Sequence, residues 1–302
     1  MSIALDVMVR EALQADLPSL KLIYNQGIED RIATLEVTPK NDAEMVRWYH
    51  DHNERYVILV AREGDDVVGW VSLNSYSHRC AYDGVADVSI YVRRDKRGTG
   101  IGSRLFRAIQ REAARNRFHK LVLFAFPANE AGHALYLKAG FRDVGIFREQ
   151  GVLDREYVDV LAMEIIIKPL VLFVCKHNAG RSQMAEAYLR RFAENCVDVA
   201  SAGTAIADAP DPAVVAAMAE DGIDISSAQP KVLDPTLAQR ASKVITMGCD
   251  VLACDLLAVP NIDEDWGLPD PSGQPIEAVR EIRNVVKAKA TALAADLLSA
   301  PR

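Results

Sequence analysis

An apolar run that ends at a cysteine is the feature of this chain that most constrains its fold. Residues 170–182 read LVLFVCKHNAGRS, so Cys175 closes the run and Arg181 and Ser182 follow six and seven positions later. An uninterrupted apolar stretch before a Gly-containing loop is typical of a strand buried in a parallel sheet. After the loop, helical spacing is kept by Met184, Ala185, Tyr188, Leu189 and Phe192. The pattern therefore predicts a strand, a short loop and a helix.

A loop of this length can hold one tetrahedral oxyanion. Its main-chain N–H groups curl around the anion, and the helix N-terminus adds further donors. The expected donors are Lys176, His177, Asn178, Ala179 and Gly180. Arg181 adds a planar, two-pronged donor, and these surroundings favour the thiolate form of Cys175. We therefore interpret Cys175 as a nucleophile, although a lone cysteine at the end of a strand is otherwise often a core residue.

The length of 302 residues, half of them hydrophobic, predicts two domains with a core each. A strand is expected over residues 157–167, and the next strand begins almost immediately after Pro169. Because proline interrupts strand pairing, we place the boundary here. The predicted domains span residues 1–168 and 169–302.

Composition excludes several classes of protein. Residues 1–168 hold 23 Lys and Arg against 24 Asp and Glu, and residues 169–302 hold 12 against 18, so neither half has the basic stripe of a nucleic-acid binder. No window approaches 18 apolar residues, and acids appear too early for a secretory signal, which predicts a cytoplasmic protein with no membrane partner. Five cysteines, an odd number, favour free thiols over a disulfide framework. Nothing in the sequence indicates an oligomeric state.

A second phosphate-binding pattern lies in the first half. Residues 87–113 combine an alternating strand, a charged Gly-rich turn and a helical spacing of apolar residues. The turn has the form R-x-x-G-x-G, in which glycines let the backbone approach a pyrophosphate ahead of a helix N-terminus. Its residues are Arg97, Gly98, Thr99, Gly100, Ile101 and Gly102, followed by Ser103. A tight turn without a ligand remains the alternative for a Gly-rich motif taken alone.

The first half resembles the GNAT N-acetyltransferases, in particular the phosphinothricin acetyltransferase-like branch that includes arsenic-resistance enzymes. Besides the turn, the matching stretches are Tyr24-Asn25, Thr34-Leu35-Glu36, Trp48, Arg79-Cys80-Ala81-Tyr82, Ile90-Tyr91-Val92, Asn129, Ala139-Gly140-Phe141 and Asp159-Val160. The resemblance covers about residues 7–166 and implies a mixed-sheet α/β domain that uses acetyl-CoA as cosubstrate.

The resemblance also implies roles for individual residues. Asp87 stands where the family carries a glutamate base, one methylene longer, and Tyr136 stands where many members hold the acid for the departing thiolate. Asn129 matches a pantetheine contact, whereas the family's usual Ser three positions later is Gly132. Arg79 and Tyr82 match binders of a small amino-acid substrate. Their alternative reading is a surface arginine and a tyrosine at a strand edge.

The second half resembles the low-molecular-weight tyrosine phosphatase fold as arsenate reductases use it, which implies a parallel-sheet α/β domain. The matching stretches are CKHNAGRSQMAEAYLRR, Ala200 to Thr204, Gly222 to Ser226, Val244 to Cys249 and Trp266 to Pro271. Asp270 lies in the family's general-acid loop, and Ser182 closes the nucleophile motif, so both join Cys175 and Arg181 as catalytic candidates. The alternative for Asp270-Pro271 is a simple turn.

In phosphatases and reductases of this fold alike, the first step is attack of the cysteine on the oxyanion. A second thiol, which only reduction requires, therefore distinguishes the two activities. Cys249 and Cys254 are the candidates. On an intact helix their Cα atoms would lie about 8.6 Å apart, beyond the reach of a disulfide. Either the segment unwinds, or an external thiol completes the cycle. In thioredoxin-coupled relatives the first cysteine corresponds to Gly248, so thioredoxin and a small thiol with a glutaredoxin-like partner both remain open.

Asn178, Glu186 and Ser201 match positions that resemble a monovalent cation site in some of these reductases, and the histidines show no zinc spacing. The expected protein is an acetyltransferase fused to an arsenate reductase, acting on arsenate and on a small amino-acid acceptor. Two alternatives are a low-molecular-weight tyrosine phosphatase fused to an acetyltransferase, and a first domain that only senses CoA. We expect Cys80 and Cys196 to be packing residues.

Overall fold

The computed structural model describes residues 7–52, 54–193, 196–248 and 262–299. The chain divides into two compact units, Met1–Ile167 and Lys168–Arg302. The predicted Cys249 and Cys254 lie outside the described residues. No helix within the described ranges is long and apolar enough to cross a membrane.

The first unit is built around one sheet. Its strands are β1 (Val7–Glu11), β2 (Ile58–Glu63), β3 (Asp66–Ser75), β4 (Val85–Val92), β5 (Lys120–Ala125), β6 (Arg142–Leu153) and β7 (Glu156–Ile166). Its helices are α1 (Leu17–Glu29), α2 (Asp42–His50), α3 (Ile101–Arg115) and α4 (Glu130–Lys138), with short 3-10 helices at Gln14–Asp16, Cys80–Tyr82 and Arg94–Lys96.

The strand order in this sheet is β1-β2-β3-β4-β5-β7-β6. Neighbours are antiparallel except β4 and β5, which run parallel and pair only from Val85 with Lys120 to Asp87 with Val122. Beyond Asp87 the two strands no longer pair, so the sheet opens between them. This opening positions the first candidate site.

Successive side chains along the strands point to opposite faces of the sheet, and each face is covered by a core. On β2, Leu59 and Ala61 belong to the core under α3, whereas Ile58 and Val60 belong to a second core under α1 and α2. The apolar face of α3 that helical spacing predicted is buried, including Leu105, which is fully inaccessible. Helices on both faces therefore hold the strand ends in fixed positions.

The second unit contains β8 (Leu170–Cys175), β9 (Asp198–Gly203), β10 (Lys243–Thr246) and β11 (Glu264–Asp265). Its helices are α5 (Arg181–Phe192), α6 (Pro212–Glu220), α7 (Pro235–Arg240) and α8 (Ile276–Leu298). The sheet order is β11-β10-β8-β9, and every described pairing is parallel. The predicted fold class, a mixed-sheet α/β domain followed by a parallel-sheet α/β domain, is confirmed.

The apolar run that ends at Cys175 is the central strand of this second sheet. Val171 and Phe173 pack into the core with α5, α6 and α8, while Leu172 and Val174 pack on the opposite side with α7. A strand buried on both faces needs apolar residues at consecutive positions. That requirement explains the uninterrupted run and places Cys175 at the carboxyl edge of the sheet.

Candidate active sites

The nucleophile candidate lies between the end of β8 and the start of α5. Cys175 is 2% exposed, and its Sγ lies 3.0 Å from Oγ of Ser182. The N–H of Asn178 donates to the same sulfur at 3.2 Å. One main-chain donor and one hydroxyl group therefore contact the sulfur.

The loop that follows has a backbone conformation that depends on its neighbours. Asn178 has φ of +49° and is fully buried. The loop rests on Gly203 of β9, where a Cβ would lie 2.8 Å from the Lys176 carbonyl oxygen and 2.9 Å from the Asn178 nitrogen. Within the described part of the chain, the N–H groups of His177, Ala179 and Gly180 donate to no protein acceptor. These groups are available for an oxyanion.

Arg181 connects the loop to the predicted acid. Its Nη1 donates to the carbonyl oxygens of Met247 at 3.2 Å and Leu268 at 3.0 Å, and its Nη2 donates to Asp270 at 3.0 Å. The guanidinium is buried, whereas the Asp270 side chain is 46% exposed. The carboxylate therefore stands at the mouth of the site, with the arginine beneath it.

A cavity of about 340 Å³ joins these residues. Cys175, Arg181 and Asp270 line it, and so do His177, Ala179 and Gly180 from the loop, whereas Lys176 is exposed outside it. The remaining walls are Ala207, Asp208, Ala209, Pro210, Asp211, Pro212, Pro271 and Ser272. Apart from the His177 ring, the described lining holds no aromatic ring. The end of this space beside the loop N–H groups is suited to an oxyanion.

A buried polar network lies behind the loop. Nδ2 of Asn178 donates to Oγ of Ser182 and of Ser201, both at 2.8 Å, and Ser201 donates to Oε2 of Glu186 at 2.5 Å. Glu186 also accepts from Arg190 at 2.8 Å and from Nζ of Lys231 at 3.2 Å. The three residues of the expected cation site thus lie together. The sequence motifs missed Lys231, because it lies 45 positions from Glu186.

The segment before Cys249 has a defined geometry. Gly248 has φ of +80°, and a Cβ there would lie 2.8 Å from the Leu268 nitrogen. Its N–H donates to Oδ1 of Asp265 at 2.7 Å. Position 248 therefore has no room for a side chain unless the segment around Leu268 shifts.

The first unit contains a cleft of about 400 Å³ where the sheet opens. Ile90, Tyr91 and Val92 of β4 form one wall, and α4 contributes Leu135 and Tyr136. From the predicted turn, Arg97, Gly98, Gly100, Gly102 and Ser103 line it. The exposed Thr99 bonds to the Lys96 carbonyl instead, and the Ile101 side chain is buried in the core.

The glycines of this turn are required by geometry. Gly98 and Gly100 have φ of +77° and +90°, where side chains are disfavoured. A Cβ on Gly102 would lie 2.6 Å from Leu135, so this glycine lets α4 approach α3. Arg97 pairs with Asp30 at 2.6 Å and donates to the Val92 carbonyl at 3.2 Å. The turn therefore approaches the cleft with backbone groups and a basic side chain.

Asp87 lies at the point where β4 and β5 separate. Asn74 on β3 donates to its Oδ2 at 3.4 Å, and Oδ1 of Asn74 lies 3.2 Å from Nε2 of His52. Burial raises the pKa of Asp87 to about 6, against the opposing effect of the Asn74 hydrogen bond. A carboxyl with such a pKa is suited to act as a base near neutral pH. The sequence motifs included neither Asn74 nor His52.

Tyr136 and Asn129 both line the cleft. Burial raises the pKa of Tyr136 to about 12, so its hydroxyl carries a proton at neutral pH and can donate it. Asn129 caps α4 by accepting from the Gly132 N–H at 2.9 Å, and a Cβ at Gly132 would lie 2.6 Å from its Nδ2. A serine at position 132 would therefore require the Asn129 side chain to shift.

The two predicted substrate binders lie outside the described lining of this cleft. Arg79 precedes the 3-10 helix Cys80–Tyr82, and both Arg79 and Tyr82 are exposed. Tyr82 packs edge-on against Tyr76, with ring centroids 5.5 Å apart. The prediction that Cys80 is a packing residue is wrong, since Cys80 is exposed, whereas Cys196 packs against the core of the second unit. Among the described residues, no cluster of His, Cys, Asp or Glu could hold a metal ion.

Comparison with known families supports two separate relationships. Residues 23–141 match the acetyltransferase (GNAT) family, and residues 170–300 match the low molecular weight phosphotyrosine protein phosphatase family. The first match contains the cleft of the first unit, and the second contains the nucleophile loop of the second unit.

Individual relatives agree with this division. A candidate phosphinothricin acetyltransferase of Bacillus subtilis is 31% identical, over 50% of this chain and 94% of its own length. A candidate arsenate reductase of Halobacterium salinarum is 40% identical, over 38% of this chain and 83% of its own length. A glutaredoxin arsenate reductase of Synechocystis is 36% identical, over 42% of this chain and 97% of its own length. The structure of a Sinorhizobium meliloti phosphinothricin acetyltransferase with acetyl-CoA is 28% identical, with a TM-score of 0.51 and coverages of 53% and 88%.

Proposed function

Since the chain belongs to the GNAT acetyltransferase family in its first unit and to the low-molecular-weight phosphotyrosine phosphatase family in its second, we propose that it is a bifunctional arsenic-detoxification enzyme. The second unit reduces arsenate to arsenite through Cys175. The first unit transfers the acetyl group of acetyl-CoA to the amino group of a phosphinothricin-like or arsenic-containing amino acid.

The reduction begins at the thiolate of Cys175. Its sulfur attacks arsenic and forms a sulfur–arsenic bond, while one arsenate hydroxyl group takes up the proton of protonated Asp270 and leaves as water. The loop N–H groups and Arg181 bind the remaining oxygens. A second thiolate then attacks Cys175, the sulfur–arsenic electron pair passes to arsenic, and arsenite leaves behind a disulfide. Arsenate thereby gains the two electrons that the two thiols lose.

The shape of the second site supports an inorganic oxyanion over a phosphotyrosine. The described walls around Cys175 are mainly alanines, prolines and aspartates, and among the described lining residues His177 alone has an aromatic ring that could stack on a phenyl group. This lining is the observation on which the choice of arsenate rests.

Cys249 and Cys254 are the proposed second thiols, and an external thiol is the alternative. A relative that is itself a glutaredoxin arsenate reductase favours a small thiol with a glutaredoxin-like partner, while thioredoxin remains the other candidate. Cys249→Ser and Cys254→Ser should stop multiple turnover of arsenate but keep hydrolysis of p-nitrophenyl phosphate. Normal reduction by both variants with a small thiol would assign the second thiol to the external reductant.

The acetyltransferase chemistry requires a base and an acid at the opening of the first sheet. Acetyl-CoA supplies the activated acetyl group, and the residues that would hold it are Arg97, the turn glycines, Ser103 and Asn129. Asp87 accepts the proton of the attacking amine, and Tyr136 donates a proton to the departing sulfur. Arg79 and Tyr82 are proposed to contact the carboxylate and head group of the amino acid.

The deciding experiment for the reductase is an arsenite assay on the full chain with each thiol system. Cys175→Ser should abolish arsenite formation, because a hydroxyl is a poor nucleophile near neutral pH and cannot form the disulfide. Cys196→Ser, the half-buried cysteine outside the site, is the matched control and should retain activity. Thiol-independent turnover of p-nitrophenyl phosphate without arsenite formation would instead assign the second unit as a phosphatase.

For the first unit, calorimetric titration with acetyl-CoA is combined with an acetylation assay on phosphinothricin and methionine sulfoximine. Binding followed by amine-dependent release of free CoA is the expected result. Binding without release would favour a CoA sensor, because Asp87 is one methylene shorter than the family's glutamate.

A further inference from the structure

Lys231 contacts two members of the polar network behind the nucleophile loop, Asn178 and Glu186. Its main-chain N–H donates to Oδ1 of Asn178 at 2.7 Å, and its Nζ lies 3.2 Å from Oε2 of Glu186. Glu186 is 8% exposed, and Arg190 occupies its other oxygen. A buried carboxylate requires compensating positive charge, and two side chains of this chain supply it.

The hydrogen bonds of the network have a defined direction. The main-chain N–H of Lys231 can only donate, so Oδ1 of Asn178 accepts and Nδ2 must face Ser182 and Ser201. Ser201 accepts from Asn178 and therefore points its own proton at Glu186. An ionised Glu186 fits this position because it accepts only.

The same reasoning reaches the nucleophile. Ser182 accepts from Asn178, so its single proton is free to point at Cys175 Sγ, 3.0 Å away. A serine that donates stabilises the thiolate, whereas one that accepts would stabilise the neutral thiol. Glu186, Ser201, Asn178 and Ser182 thus form one chain of contacts that ends at Cys175.

We propose that the Lys231 ammonium is a built-in monovalent cation of the nucleophile loop, a positioning residue that holds Glu186, and through it Ser201 and Asn178, in place behind Cys175. The inference deepens the proposed reductase function and rests on it. Lys231 occupies the charge-compensating position beside Asn178, Glu186 and Ser201, so the loop needs no inorganic cation there. Removing the ammonium would leave a space lined by a carboxylate and a hydroxyl, the ligand types that bind Na⁺ or K⁺.

The test measures how fast iodoacetamide alkylates Cys175, followed by peptide mapping, at constant ionic strength in choline, sodium or potassium chloride. The wild-type rate should be the same in all three salts. Lys231→Met should alkylate about two- to fivefold more slowly in choline chloride, a small factor because the Lys231 side chain is 48% exposed and its ion pair is screened. Sodium or potassium should restore the rate, and Lys231→Arg should behave as wild type.

Lys243→Met is the control, since Lys243 forms only a long ion pair of 4.0 Å with the exposed Glu264. It should show neither the slow rate nor the response to salt. A wild-type rate that follows the K⁺ concentration, an unchanged rate in Lys231→Met, or a slow rate that no cation restores would each overturn the proposal. Alkylation needs no arsenate, so this outcome is independent of whether the chain reduces arsenate.

Discussion

At the scale of single residues, the second site is organised by Arg181 as much as by Cys175. The buried guanidinium donates to two carbonyl oxygens and to Asp270, and so connects the nucleophile loop to the segments around residues 247 and 268–270. A lysine has the charge but lacks the planar fork that makes these contacts together. Arg181 therefore has a structural and an anion-binding task at once.

Arg181→Lys should lower kcat/KM for arsenate by about 100-fold or more, the effect typical of losing a preorganised oxyanion donor. Steady-state kinetics of arsenite formation measure this effect. Arg280→Lys is the control, because Arg280 pairs with Glu220 on the surface. A kcat/KM of Arg181→Lys within a few-fold of the wild-type value would contradict the proposed role of the guanidinium in binding the oxyanion.

Asp87 determines the expected pH dependence of acetylation. Burial raises its pKa to about 6, so the carboxylate is lost below that pH and the wild-type rate should rise with pH through about 6. Asp87→Asn cannot ionise, so its rate should be about 100-fold lower or more and should lack this inflection. A pH–rate profile that is the same in both proteins would remove Asp87 from the mechanism.

The same substitution should have the opposite effect on stability. Because the pKa of Asp87 is higher in the folded protein than in the unfolded chain, folding favours the protonated form. Above pH 6 the ionised Asp87 therefore lowers the stability of the wild-type protein. This loss of stability diminishes as the pH falls toward the ordinary pKa range of aspartate. Asp87→Asn should raise the melting temperature at pH 8 relative to wild type, with a smaller difference at pH 5. A lower melting temperature at pH 8 would contradict this account of the shift.

At the scale of elements, Gly248 follows β10 and contacts the segment that leads to Asp270. Gly248→Ala combines an unfavourable positive φ with a Cβ 2.8 Å from the Leu268 backbone. We expect it to lower the free energy of unfolding by about 1–3 kcal/mol or more and to weaken binding of arsenate by displacing that segment. Urea unfolding and arsenate protection of Cys175 from alkylation measure the two effects.

Gly273→Ala is the matched control, because Gly273 also has a positive φ, +69°, but open space around it. Its free energy of unfolding should fall only by the cost of the unfavourable φ, and its binding of arsenate should be normal. Equal losses in both variants would show that the contact with Leu268 is unimportant.

At the scale of the whole molecule, each site is built from described residues of one unit. Cys175, Arg181 and Asp270 belong to the second unit, and Asp87 and Tyr136 belong to the first. Cys175→Ser should therefore leave acetylation unchanged, and Asp87→Asn should leave arsenate reduction unchanged, in assays on the full chain. A loss of both activities in either variant would indicate that the two sites are coupled.

The sequence by itself determined the elements and the main reactive groups. The apolar run before Cys175, the helical spacing after Ser182 and the glycines of residues 98–102 express local requirements of backbone conformation and burial, which a linear pattern records. The nucleophile loop and the Gly-rich turn were therefore predictable, as was the α/β class of both domains.

Only the tertiary structure decided which distant residues complete the sites. Lys231 reaches Glu186 across 45 positions, Asn74 meets Asp87 across a strand pair, and Gly248 is excluded from carrying a side chain by Leu268. Local patterns contain no information about such contacts, because their energy depends on packing between segments far apart in sequence. The raised pKa of Asp87 belongs to the same class, since burial is a property of the folded chain.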